Sequence, residues 1–146
     1  ILWRGHCSVH QNFQPNHPDL MRKRYPGINI IVHPECQFEV VQKADYAGST
    51  KKIIEIVDNA EPGSKWAVGT EHHLVNRLAK ENPDKMVSTL APFACQCSTM
   101  FRIAPEALCE RLEELVRGET QNVIRVEEET RHWSTVALDR MLSMKD

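Results

Sequence analysis

The chain has 146 residues, is 41% hydrophobic and 26% charged, and carries a formal net charge of −2 with acidic and basic residues interspersed. That is enough apolar material for one real core with an appendage, on an ordinary soluble surface. No basic stripe points to nucleic acid, and no apolar run approaches the roughly 20 residues that cross a bilayer.

In chain order, Pro18 to Tyr25 predicts a short helix with proline in its first turn, stopped by Pro26-Gly27. Ile28-Asn29-Ile30-Ile31-Val32 is a β-branched apolar run that predicts a buried parallel strand. A helix is expected from about Glu35 to Lys43, then a very short strand at Ala44-Asp45-Tyr46. Ser49 is placed to cap a helix whose apolar face is Ile53, Ile54 and Val57, ending at Pro62-Gly63. Lys65 to Val68 predicts a strand, Glu71 to Lys80 a helix, and Lys85 to Thr89 another strand. Pro105 to Arg117 predicts an amphipathic helix closing at Gly118, Val123 to Val126 a strand, and Glu127 to about Met144 a last helix. Strands alternating with helices predict an α/β fold, a three-layer sandwich around a small parallel sheet.

In such sheets ligands bind beyond the carboxyl ends of the strands. His33 and Glu35, then Gly48-Ser49-Thr50, then Thr70-Glu71 each follow a predicted strand, so one shared site is expected at that edge. Taken singly, each group also reads as a plain helix start, since proline, serine and acidic residues all favour the first turn. His72 and His73 are adjacent on a helix and do not share a face, which favours the helix surface.

The five cysteines are Cys7, Cys36, Cys95, Cys97 and Cys109. An odd count without dense even spacing fits a reduced protein with metal-binding thiolates better than a disulfide scaffold. Cys109, inside an amphipathic helix, is expected to be a small buried hydrophobe. Cys95-x-Cys97 is a poor zinc signal without a second pair. Cys7 with one of Cys95 or Cys97 could ligate iron, but is short of the four thiolates that a cubane normally takes. A zinc hydrolase using His6, His10 or His33 lacks a helical H-E-x-x-H. A non-catalytic α/β module that binds an anionic small molecule, with structural or zinc-bound cysteines, remains the alternative of another class.

Five motifs then occur in order: Trp3-Arg4-Gly5-His6-Cys7-Ser8-Val9-His10, His33-Pro34-Glu35-Cys36, Ala44-Asp45-Tyr46-Ala47-Gly48-Ser49-Thr50, Val68-Gly69-Thr70-Glu71 and Cys97-Ser98-Thr99-Met100. Together they resemble the signature of the quinolinate synthase family, across essentially the whole chain. The resemblance implies condensation of iminoaspartate with dihydroxyacetone phosphate to quinolinate in NAD biosynthesis, in the cytoplasm, with a functional link to L-aspartate oxidase. It implies a 4Fe–4S cluster held by three cysteines, with one iron open as a Lewis acid.

By the same resemblance Cys7 and Cys97 are cluster ligands, and the first cysteine lies on sequence not present here. His10, His33 and Glu35 are implied as catalytic, with Glu35 as acid/base, and His33, Glu35, Ser49 and Thr50 as substrate-binding. Cys36 and Cys95 match no ligand position. The family fold implies three pseudo-threefold-related α/β domains. Residues 1–7 are then the end of the second domain, 8–97 the third, and 98–146 a segment packing with the absent first. The start at Ile1, without methionine, agrees with the expectation of a C-terminal fragment.

Overall fold

A computed structural model describes residues 5–144. Trp3 and Arg4 of the first motif, with most of segment 1–7, lie outside the described residues. The chain forms two compact units, one ending at Arg102 and one beginning at Ile103.

The first unit runs α1 (Ser8–Gln11), α2 (His17–Arg24), β1 (Asn29–Val32), α3 (Phe38–Lys43), β2 (Tyr46–Ala47), α4 (Thr50–Asp58), β3 (Lys65–Gly69), α5 (His72–Glu81) and β4 (Met86–Thr89). The four strands are all parallel, in the order β2-β1-β3-β4. Ile31 aligns with Tyr46 on one side and Val68 on the other, and Val68 aligns with Thr89.

Successive side chains of a strand point to opposite faces, so the apolar run of β1 needs cover on both. Ile30 and Val32 pack with Val9, Phe13, Val40 and Leu90 on the face covered by α1, α2 and α3. Ile31 packs with Ile53, Val57, Val68, Val75 and Leu78 on the face covered by α4 and α5. The unit is therefore the expected three-layer α/β sandwich. Ile53 and Val57 are fully buried, and each such side chain contributes about 1.5–3 kcal/mol relative to exposure.

Two boundaries differ from expectation. The helix expected from Glu35 begins at Phe38, because His33 to Cys36 turns first: the Cys36 N–H donates to the His33 carbonyl at 3.0 Å. Cys36 is buried, and its thiol donates to the Gly69 carbonyl at 3.5 Å, which holds the chain in that turn. The strand expected at Ala44 begins at Tyr46, because the Asp45 carboxylate takes the Ile30 N–H at 2.7 Å and so completes that end of the ladder.

Gly69 ends β3 where there is no room for a side chain. A Cβ there would lie 2.8 Å from Val32 Cγ1 and 3.1 Å from Leu90 Cδ2. Gly69→Ala should therefore destabilise by about 1–3 kcal/mol through overpacking. A lowered urea midpoint checks this; an unchanged one contradicts it.

The second unit contains α6 (Pro105–Val116) and α7 (Glu128–Ser143). Gly118, at φ 78°, closes α6: its N–H donates to Leu115 and the Glu119 N–H to Glu114, which satisfies two terminal carbonyls. No strand forms at Val123–Val126, where Ile124 is 86% exposed, since among the described residues of this unit no strand edge is offered to pair with it. Cys109 is exposed rather than buried. Leu108, Leu112, Leu115, Trp133 and Leu142 are also exposed. No helix of the described residues is long and apolar enough to cross a membrane.

Candidate active site

The carboxyl ends of β1, β2 and β3 come level because the ladder continues one residue past β1 and β2. His33 N–H donates to the Gly69 carbonyl and Gly48 N–H to the Val32 carbonyl, both at 3.1 Å. His33, Ser49, Thr50, Thr70 and Glu71 thus leave the sheet at one edge, as their positions after the strands predict.

His10 joins them from α1. It is buried, and both ring nitrogens are engaged: Nδ1 lies 3.0 Å from Glu35 Oε2 and Nε2 lies 3.2 Å from Thr70 Oγ1. Its ring stacks on that of His33, with centroids 4.3 Å apart and planes 4° from parallel. Glu35, itself exposed, also reaches 3.8 Å from His33 Nδ1. Two imidazoles and one carboxylate thus form a proton-carrying group at the sheet edge.

His33 Nδ1 accepts the Glu35 backbone N–H at 3.3 Å, so that nitrogen carries no proton. Burial, then the neighbouring His10, lowers the His33 pKa from 6.5, against the opposing pull of Glu35. Burial lowers that of His17 as well. A folded chain that prefers neutral imidazoles keeps this stability above the unfolded pKa and loses it as pH falls through the lower folded values. The urea midpoint should therefore fall on acidification below about 6.5, and fall less in a His17→Gln/His33→Gln chain. A midpoint that rises on acidification contradicts the assignment.

The cysteines separate by environment. Burial first, and then neighbouring charge, pushes the Cys36 thiol up to about 12. Burial, then Glu71, raises Cys95. Cys97 is lowered, first by the Thr99 hydroxyl at 3.1 Å and then by the backbone N–H groups of Met100 and Thr99. Thiolates are the metal ligands, and of the Cys95-x-Cys97 pair it is Cys97 whose surroundings favour that form.

Cys7 and Cys97 line one cavity of about 420 Å³ together with His10, Thr50, Thr70, Glu71, His73 and Arg77. Two thiols from distant parts of the chain, one of them held toward the thiolate, are donors of the kind that an iron–sulfur cluster takes. Cys7, His10 and Glu35 also place one ligand atom each within 4.8 Å of one another. Thr50 faces the cavity, whereas the Ser49 hydroxyl caps α4 by accepting the Lys52 N–H at 3.3 Å.

The sequence reading placed Thr70 and Glu71 at the right edge without joining them to His10 or to the cysteines. Glu71 caps α5 and binds His73 through both oxygens, at 2.7 and 2.8 Å. His73, read as helix surface, is exposed but held by this pair. Arg77, one helical turn further, was missed. Its i, i+4 spacing from His73 was the available signal.

A profile of the family described as "NadA: Quinolinate synthetase A protein" matches residues 1–143. The chain is 54% identical over 145 residues to a quinolinate synthase of Rhodopirellula baltica, covering 99% of this chain and 37% of that protein. It is 52% identical over 147 residues to one of Acidobacterium capsulatum, at 99% and 39% coverage. A third, from Bacillus mycoides, is 54% identical over 142 residues, at 97% and 39%. The chain thus spans 37–39% of the length of these curated relatives.

Proposed function

This chain belongs to the quinolinate synthetase A protein family, and from that premise we propose that it is the C-terminal part of a quinolinate synthase. The complete enzyme condenses iminoaspartate with dihydroxyacetone phosphate, with loss of phosphate and water, to give quinolinate for NAD biosynthesis. It acts in the cytoplasm and is functionally linked to L-aspartate oxidase. The observation that carries this reading is the cavity shared by Cys7 and Cys97, with His10 in its wall and Glu35 bonded to that histidine.

Cys7 and Cys97 would hold a 4Fe–4S cluster together with one cysteine from outside this chain. When bound, the cluster supplies an iron with an open position, a Lewis acid. The chain's own residues do the rest. Glu35 gives and takes protons at its carboxylate, and His10 fixes that carboxylate through Nδ1. His33, neutral near pH 7, offers its Nε2–H to substrate oxygen. Thr50, with the free N–H groups at the start of α4, holds a carboxylate or phosphate, and Ser49 shapes that turn.

Residues 8–97 form the third of three related domains, and 98–146 pack with the first, which would cover Leu108, Leu112 and Leu115. The test is anaerobic purification of the complete protein. Iron, acid-labile sulfide and quinolinate formation from the two substrates are expected, and the 146-residue chain alone should yield none. A complete protein without iron or turnover overturns the reading.

One observation favours a second reading, a single-ion site. Cys7, His10 and Glu35 have the donor types that zinc takes. Both nitrogens of His10 are already engaged, so binding there requires one partner to leave. Stoichiometric zinc without sulfide would favour that site.

A further inference from the structure

The loop from Cys95 to Phe101 has no regular structure before its single turn at Met100–Arg102, yet its one useful sulfur has to face a cavity. The amino end of α5 supplies the means. The His72 N–H donates to the Cys95 carbonyl at 3.0 Å. Glu71 is only 9% exposed, and it lines the same cavity as Cys97. The His73 ring, gripped by Glu71 at 2.8 Å, lies against Phe101 with centroids 5.6 Å apart. The Phe101 N–H closes the turn on the Cys97 carbonyl at 2.9 Å.

These contacts form a circuit that runs from Glu71 through His73 and Phe101 to Cys97. A helix cap needs only the bond from the carboxylate to the His73 N–H, which serine or aspartate makes as well. The longer arm of glutamate reaches further, to the His73 ring, which its second oxygen holds. That surplus is unexplained by capping. A charged acceptor is also a strong partner for a ring nitrogen that must be fixed in place.

We propose that Glu71 is a positioning residue, holding the Cys95–Phe101 loop on the amino end of α5 so that the Cys97 sulfur faces the cavity it shares with Cys7. The proposal rests on the reading of Cys97 as a cluster ligand, but its first test does not involve the cluster.

In the complete apo-protein, Glu71→Ser keeps a good cap for α5 and removes the reach. Amide hydrogen exchange at 97–101 should rise by about tenfold or more, as expected for losing a hydrogen bond to a charged group, while the first turn of α5 keeps its protection. After anaerobic reconstitution the serine variant should hold less iron per chain than the parent, and Glu71→Gln, equal in length, should recover most of both properties. Unchanged exchange at 97–101 in the serine variant makes Glu71 a helix cap alone and overturns the proposal. If that variant does not fold, His73→Ala serves instead. It leaves the cap and opens the circuit, so exchange at 100–101 should rise, and unchanged exchange there overturns the proposal equally. A parent protein that binds no iron removes the cluster reading but leaves the exchange result decisive for the loop.

Discussion

Cys97→Ala should abolish the visible absorption of the cluster in the complete enzyme, while Cys95→Ala, two residues away, should leave most of it. The iron of a cluster binds thiolates, and the two sulfurs stand in opposite environments. Cys97 meets the Thr99 hydroxyl and two backbone N–H groups, all of which stabilise the anion. Cys95 is 1% exposed, and burial and Glu71 both oppose its ionisation. Cys36, near 12, stays a thiol at any working pH, so Cys36→Ala should alter packing more than metal content. Cys109→Ala should leave the cluster intact, since Cys109 belongs to none of the five motifs that carry the family resemblance. Absorption and iron content of the anaerobically purified variants decide the matter. Loss with Cys95→Ala and retention with Cys97→Ala would put the ligand two residues earlier.

Glu35→Gln should lower turnover by roughly 10²–10⁴-fold, the range for a general acid or base, and leave the cluster absorption in place. The substitution keeps the size of the side chain and an acceptor oxygen for His10, and removes the charge and the proton exchange. Glu35 is not at a helix N-terminus: α3 begins at Phe38, so the helix dipole does not set its behaviour. His10 at 3.0 Å and His33 at 3.8 Å are its neighbours instead. Steady-state kinetics at saturating substrates measure the effect, and near-normal turnover would remove Glu35 from the mechanism.

Much of the sheet was legible because single residues announce it. The run Ile28–Val32 can only be buried on both faces, and Ser49 followed by Ile53, Ile54 and Val57 marks where α4 starts and which way it faces. What stayed hidden depended on contacts between distant residues. The start of α3 is decided by Cys36 reaching Gly69, and the start of β2 by Asp45 reaching Ile30, neither of which local periodicity records. Val123–Val126 has strand composition, but composition does not supply a neighbouring edge.

In the site, His10 and Glu35 were legible as motif residues. The bond from His10 to Thr70 spans 60 positions and emerges only when β1 and β3 align. The choice of Cys97 over Cys95 came from resemblance alone, and the Thr99 hydroxyl 3.1 Å from the Cys97 sulfur is a contact that periodicity does not record.

The strand order carries one more implication. β1 and β3 are neighbours, but the chain leaves β1 over one face of the sheet, through α3, and leaves β3 over the other, through α5. Two adjacent strands that send their continuations apart open a fork at their tips, where α/β sheets bind ligands. His33 stands on one prong and Thr70 on the other, and the His10 imidazole is wedged between them, stacked on the first and bonded to the second. Any change in the splay of those two prongs must therefore be felt at a single ring, which makes His10 a natural place for a spectroscopic probe of strain in the sheet.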